Sequence, residues 1–232
     1  MSSDPPRVSI VMSVYNEARR VPRAIASLRG QTFTDWELIL INDGSTDETA
    51  HVLDAAAAAD ARLRVVHQEN QGLTRALIAG CRQARGEYIA RHDADDWSEP
   101  TRLAVQFAQL ESDVRLGFVA CATRYVGPRD EPLELLVRDA PSAEATRRLL
   151  DERQGPPAHG SVMFRRDLYN AVGGYRAEFY FGQDSDLWMR MAERMPIAYS
   201  TECLYNARRD PDSVSGRMGG LQYDFGELGQ AC

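Results

Sequence analysis

Residues 8–17 read Val8-Ser9-Ile10-Val11-Met12-Ser13-Val14-Tyr15-Asn16-Glu17, and residues 37–44 read Glu37-Leu38-Ile39-Leu40-Ile41-Asn42-Asp43-Gly44. Each contains a short apolar run that stops abruptly in polar residues, the pattern of a strand buried on both faces of a sheet. Between the runs Val21, Ala24, Ile25 and Leu28 recur at helical spacing. Pro22 falls in a first turn, where its missing N–H costs nothing, and Gly30 supplies the stop. The segment is therefore a β-α-β unit, which implies parallel strands with a helix packed across one face.

The alternation continues outward from this unit. Ser45 and Glu48 have capping-box spacing ahead of Val52, Leu53 and Ala56, so a second helix is expected directly behind the second strand. Leu63 to His67 reads as a third strand, Leu73 to Arg85 as a helix stopped by Gly86, and Tyr88 to His92 as a fourth strand that delivers Asp93-Ala94-Asp95-Asp96. Beyond it the spacing predicts a helix over Pro100 to Glu111 and a strand over Leu116 to Tyr125. The Pro-, Gly- and charge-rich stretch Gly127 to Gly160 reads as an insertion holding one helix near Ala143 to Asp151. A helix over Asp184 to Met195 and a strand in Ile197 to Tyr205 close the pattern. The expectation is one α/β domain with a Rossmann-like, mostly parallel central sheet flanked by helices, and a mixed C-terminal portion.

At 232 residues the chain is long enough for one large α/β domain and short for two. Twenty-seven basic residues against 34 acidic ones give a net charge of −7, which argues against a nucleic-acid partner. Met1 to Arg7 is polar and Pro-rich, and no run approaches the ~20 apolar residues of a bilayer span. A cytoplasmic protein is expected, able to associate peripherally with the inner face of a membrane. Cys81, Cys121, Cys203 and Cys232 are far apart and form no Cys-x-x-Cys pair, so they read as reduced, mostly buried thiols.

Three of the expected strand ends carry groups suited to ligand binding. Asp93, Asp95 and Asp96 place three carboxylates in four residues at the carboxyl end of a buried strand, where parallel α/β sheets bind ligands. Carboxylates this close repel unless a cation or hydrogen-bond donors compensate, and hard oxygen ligands suit Mg2+ or Mn2+ with a diphosphate completing the shell. The competing reading is that they cap the helix expected at Pro100. Asp43 could accept a base N–H and Tyr15 could stack on its ring, although an Asp there also suits a turn. His51 and His67 read as surface or satisfied side chains, and strand alternation points His92 away from Asp93.

These stretches resemble, in order and spacing, the successive signatures of the family-2 inverting glycosyltransferases of the GT-A fold. The match runs from residues 8–17 through Asn42-Asp43-Gly44-Ser45-Thr46-Asp47, Gly86-Glu87-Tyr88-Ile89 and Asp93-Ala94-Asp95-Asp96. It continues in His159-Gly160-Ser161-Val162-Met163-Phe164, Gly173-Gly174-Tyr175 and Gln183-Asp184-Ser185-Asp186-Leu187-Trp188. The resemblance implies a single glycosyltransferase domain over 1–232, with a nucleotide-sugar-binding half over 1–97 and an acceptor-binding half over 98–232. It implies a nucleotide-sugar donor, a hydroxyl-bearing acceptor and a divalent cation, Mn2+ or Mg2+. Ser13, Tyr15, Glu17, Asp43, Arg75 and Asp95 would hold the nucleotide. Asp96 would bind the metal directly, with Asp95 meeting the ribose or a metal-bound water, and Asp184 would be the catalytic base. The alternative for Asp184 is a helix N-cap.

Several positions depart from the family pattern. Relatives carry Ala-Ala-Arg-Asn after the Gly-Leu that matches Gly72-Leu73, whereas here Arg75 stands two positions earlier. Gln183 replaces the usual Glu before the base, removing a negative charge beside Asp184. In Arg208-Arg209-Asp210-Pro211-Asp212-Ser213-Val214-Ser215, Asp210 stands where relatives often have His, and it could still ligate the cation. His159 matches a position on the acceptor side. The implied reaction is in-line transfer of a sugar with inversion, most readily from a UDP-sugar, in polysaccharide or glycoconjugate synthesis. A sugar nucleotidyltransferase and a dinucleotide oxidoreductase both need a Gly-rich loop after the first strand, where Tyr15-Asn16-Glu17-Ala18 stands instead. A non-catalytic nucleotide-sugar-binding module remains the rival from another class.

Overall fold

Four parallel strands form one side of the central sheet: β1 (Val8–Val14), β2 (Trp36–Asp43), β3 (Leu63–Gln68) and β4 (Tyr88–Arg91). Every residue of β2 and β4 is buried, as a strand covered on both faces requires. The computed structural model describes residues 4–209 of the chain. The further strands are β5 (Trp97–Ser98), β6 (Phe118–Val126), β7 (Pro132–Leu136), β8 (Val162–Arg165) and β9 (Ile197–Arg208). They extend the same sheet in the order β3-β2-β1-β4-β8-β6-β9-β5, with β7 paired to β6. β8 runs antiparallel between β4 and β6, while β9 lies parallel to β6.

Alternation along the strands sends side chains to two cores. Ile10 and Met12 of β1, Leu38 and Leu40 of β2, and Tyr88 and Ala90 of β4 meet helices α1 (Val21–Arg29), α2 (Thr49–Ala59) and α4 (Arg102–Ser112). Val11, Ile39, Ile41 and Ile89 face α3 (Leu73–Gln83), α5 (Ser142–Glu152), α6 (Arg166–Ala171) and α7 (Gln183–Ala192). The result is the expected α/β domain, a sheet with helices on both faces. Among the described residues no helix is long and apolar enough to cross a membrane.

Some local expectations are corrected. Ser45 does not cap α2: its hydroxyl accepts the Asn16 N–H at 3.0 Å, the helix begins at Thr49, and Glu48 occupies the N-cap position. A tertiary donor has outcompeted the local one. α3 ends at Gln83, before Gly86, whose role is close approach: a Cβ there would lie 2.6 Å from the Ser9 amide nitrogen of β1. The insertion 127–160 contains strand β7 as well as α5. Cys81 and Cys121 are buried free thiols and Cys203 is half-buried, while Cys232 lies outside the described residues.

Candidate active site

The loops following β1 and β2 are laced together at the carboxyl edge of the sheet. Asn16 adopts a left-handed backbone (φ 54°), and its side-chain oxygen accepts the Thr46 N–H at 2.8 Å. Glu17 and Ala18 donate their N–H groups to Thr49 Oγ1 and Asp47 Oδ2. This clasp leaves the Tyr15 ring 49% exposed at the strand end, available to a flat ligand. Ser13 and Glu17 are half-buried nearby, and the Glu17 carboxylate lies 3.5 Å from the Arg20 guanidinium.

Asp43 is buried at the end of β2, and its carboxylate already works within the fold. Oδ1 accepts from the Gln68 side chain at 2.7 Å and from the Gln71 N–H at 2.9 Å, while Oδ2 accepts the Gly72 N–H at 2.9 Å. A carboxylate has about four lone-pair sites, so room for one further donor remains. Asp43 thus holds the loop that opens α3. Arg75 stands exposed in the first turn of that helix.

The acidic run after β4 does not cap the next helix, because α4 begins only at Arg102 with Thr101 as its N-cap. Asp93 pairs with the buried guanidinium of Arg91. Asp95 is pushed up to about 7 by burial and by the negative charges of Asp93 and Glu17, with Arg20 pulling the other way. Asp96 is buried and raised well above the usual carboxylate range by desolvation and by Asp95 and Asp93. The Arg208 N–H, 2.7 Å from Asp96 Oδ1, and the Tyr205 hydroxyl partly offset this. The structure therefore brings Glu17, Asp95 and Asp96 into one electrostatic neighbourhood that lacks enough positive charge. Among the described residues no three acidic, His or Cys side chains converge as a closed metal cage, and Asp210 lies outside those residues.

Arg208 itself is occupied. Its guanidinium donates to the Gly127 and Pro128 carbonyls and pairs with Asp130 at the β6–β7 turn. Asp130 also holds Arg23 of α1, which stacks 3.4 Å from the centre of the Trp97 ring. Arg209 lies over Tyr125 and pairs with Glu134 at 2.8 Å. The end of β9 is thereby fastened over the acidic loop.

Asp184 lies in the first turn of α7 and is half-buried. Gly182 takes the N-cap position of α7 with a left-handed backbone, so Asp184 is no N-cap: it sits inside the first turn and accepts the adjacent Ser185 N–H at 2.9 Å. Burial raises its pKa, Arg91 opposes the shift, and Asp93 adds to it. His159 is half-buried, its Nε2 2.7 Å from the Tyr175 hydroxyl and its ring edge-on to Trp188 at 5.8 Å. Burial holds it well below its usual pKa, as a neutral imidazole. His92, just past β4, reaches the Asp93 carbonyl at 2.7 Å and Ser98 Oγ at 3.1 Å and packs against Tyr205.

Two participants escaped the sequence reading. Tyr205 accepts the Asp93 N–H at 3.0 Å and lies so close to Gly160 that a Cβ there would sit 1.9 Å from its hydroxyl. Arg91 is a charge that ends β4 directly after the apolar run Tyr88-Ile89-Ala90, and its presence within the strand was the available signal.

Comparison with known proteins places the chain in a family. The family model described as glycosyl transferase family 2 matches residues 9–173. The protein EpsE of Bacillus subtilis strain 168, named as a glycosyltransferase, is 32% identical over 224 residues, covering 91% of this chain and 76% of EpsE. A chondroitin synthase of Escherichia coli is 28% identical across 87% of this chain, which spans 29% of that longer protein. The solved structure of the mannosyltransferase PcManGT from Pyrobaculum calidifontis, in complex with GDP-Man and Mn2+, superposes with a TM-score of 0.71 at 22% identity, covering 95% of this chain and 61% of that one. At that identity the last likeness speaks to the fold alone.

Proposed function

Because the chain belongs to glycosyl transferase family 2, we propose that it transfers a sugar from a UDP-sugar to a hydroxyl acceptor with inversion at the anomeric carbon, in polysaccharide synthesis. The observation that supports this best is an acidic loop short of positive charge, Asp95 and Asp96, in the same chain as a half-buried first-turn carboxylate, Asp184, whose charge Asp93 of that loop disfavours. The 1–97 half would bind the nucleotide and the 98–232 half the acceptor.

Tyr15 would stack on the base, Asp43 would use its remaining lone pair on the base N–H, and Ser13 and Glu17 would line the same pocket. Arg75 would lie at its rim. Asp95 and Asp96 fit a hard divalent cation: Mg2+ and Mn2+ sites commonly use one or two carboxylates and let substrate phosphates complete the shell, so a closed protein cage is not required. Bound there, the cation would offset charge growing on the departing diphosphate. Asp210 would be a further ligand from the segment that follows Arg209.

Asp184 would take the proton of the acceptor hydroxyl as that oxygen attacks the anomeric carbon from the face opposite the diphosphate. A raised carboxyl pKa suits a base working near neutral pH, provided the group remains ionised in the resting site. Asp184→Asn keeps the size and removes the proton acceptor. Transfer should fall by about 10²–10⁴-fold while melting temperature and UDP affinity stay near wild type. Near-wild-type transfer removes Asp184 from the mechanism. A wild-type protein that binds UDP yet transfers nothing across a broad panel of donors and acceptors is instead a binding module.

A further inference from the structure

Asp130 ties together two arginines, one bonded through its backbone to Asp96 and the other stacked on the residue that follows Asp96. It adopts a left-handed backbone (φ 63°) in the turn between β6 and β7, and its side chain is 47% exposed. Oδ1 accepts from the Arg208 guanidinium, and Oδ2 accepts from the Arg23 guanidinium at 2.7 Å. Asparagine or glycine would serve such a turn as well, and exposed ion pairs contribute little to stability. Neither the turn nor stability therefore accounts for a carboxylate here.

Both arginines lead to Asp96. Arg208 donates its backbone N–H to Asp96 Oδ1 at 2.7 Å, and its guanidinium is buried against the Gly127 and Pro128 carbonyls, each at 3.0 Å, as well as Asp130. Arg23 lies 3.4 Å from the centre of the Trp97 ring, and the Arg208 guanidinium lies 6.0 Å from the same ring. Backbone pairing between β9 and the segment after Asp96 is short. β5 joins β9 over only two residues, Trp97 with Asn206 and Ser98 with Tyr205, and the next bond, from the Glu99 N–H to the Leu204 carbonyl, lies farther from Arg208. The longer ladder, which includes Val126 with Arg208, holds β9 against β6 and does not itself reach Asp96. On the Asp96 side of β9 the contact is carried by side chains.

We propose that Asp130 is a positioning residue for the divalent-cation site: by gripping Arg208 and Arg23 together it keeps the Arg208 N–H on the Asp96 carboxylate and so holds that ligand in place. The proposal rests on the reading of Asp96 as a cation ligand and deepens it. The turn between β6 and β7 thereby sets how tightly the cation binds.

The test compares Asp130→Asn and Asp130→Gly with wild type in the full chain. Both substitutions suit a left-handed turn, so a folded variant is in hand even if one of them misfolds. Two quantities are read: Mn2+ affinity in the presence of UDP, by calorimetry, and the Arg208 amide in 1H–15N NMR spectra of the metal-free protein. Mn2+ affinity should fall by about tenfold, the lower end for a partner outside the ligand sphere. The Arg208 amide should move upfield and exchange faster with solvent as its bond to Asp96 loosens, while the melting temperature stays near wild type. Glu131→Gln removes a charge from the same turn, from a side chain that accepts the Arg129 N–H instead, and should leave both quantities in place. A merely structural role would lower the melting temperature and move neither. An unmoved Arg208 amide or an unchanged Mn2+ affinity in a folded Asp130 variant overturns the proposal, and so does a loss of affinity that Glu131→Gln reproduces, which is long-range charge alone. A wild-type protein whose UDP binding is indifferent to Mn2+ overturns instead the reading of Asp96 as a ligand, and this proposal with it.

Discussion

Replacing Gly160 with Ala probes the contact where the His159–Ser161 turn meets the acidic loop. The new Cβ would stand 1.9 Å from Tyr205 Oη, 2.3 Å from its Cζ and 2.9 Å from Asp93 Oδ2, whereas ordinary contact begins near 3.4 Å. The hydroxyl would have to retreat by about 1.5 Å to restore that spacing. Tyr205 has no free direction: it is fully buried, with the Arg102 guanidinium 4.8 Å from its ring centre and His92 edge-on at 5.3 Å. Retreat also breaks the bond from the Asp93 N–H and the support Tyr205 gives Asp96. Overpacking costs about 1–3 kcal/mol and a lost buried hydrogen bond about 1 kcal/mol more, so the expected destabilisation is about 2–4 kcal/mol. For a domain of this size that lowers the melting temperature by roughly 5–15 °C. The assay is thermal melting beside calorimetric titration of UDP with Mn2+, with Gly155→Ala as control because its Cβ would meet nothing nearer than 3.6 Å. A Gly160→Ala protein that melts with the control and binds UDP equally well refutes the claim that this contact sets the acidic loop.

Asp96→Ala should abolish the divalent-cation dependence of UDP binding, and calorimetry showing the dependence intact would withdraw Asp96 as a ligand. Asp43→Ala should weaken UDP more than inorganic diphosphate; equal losses would confine Asp43 to holding the Gln68–Gly72 loop, whose amides would be left unpaired at about 1–3 kcal/mol each. Asp60 is held down to about 2, chiefly by hydrogen bonds from Arg62 with further help from Arg29. Its folded value lies below its unfolded one, so its contribution is complete above about pH 4 and is lost as pH falls from about 4 to about 2. Asp60→Asn should therefore flatten the acid limb of the stability curve in that window, as urea melts across pH would reveal.

The parallel half of the fold was legible because its signals are local. The runs at Val8–Val14, Trp36–Asp43 and Tyr88–Arg91 are buried on both faces, and their ends mark where Tyr15, Asp43 and the Asp93–Asp96 loop must emerge. What depends on distant partners was not legible. Nothing near Ser45 announces that the Asn16 amide will claim its hydroxyl. The antiparallel β8 finds its place between β4 and β6 through pairings such as Ile89 with Phe164 and Val119 with Met163, which no local pattern encodes. Alternation assigns Arg91 to one face of the sheet without revealing that His159 and Tyr175 lie in its field. Tyr205 reaches Asp93 across 112 positions of sequence. Asp184 was correctly placed at the start of a helix, but the backbone of Gly182, and not the carboxylate, makes the cap.

The insertion of β8 beside β4 also bears on how the protein must be built and how it can move. Tyr88, Ile89 and Ala90 pair with Arg165, Phe164 and Met163, and the core under α1 and α4 takes Val8 and Val119 alike. A fragment ending after Ser98 would present β4 as an open edge of fully buried side chains, a template for intermolecular pairing. The segment up to Ser98 is therefore not an autonomous folding module that could be grafted onto another partner segment. Nor can the two sides swing apart as rigid bodies, since a hinge would have to tear ladder hydrogen bonds in the middle of one sheet. On the proposed function, substrate entry and product exit would fall to the loops along the sheet's carboxyl edge, and so would changes of sugar or acceptor, remodelled there over an undivided core.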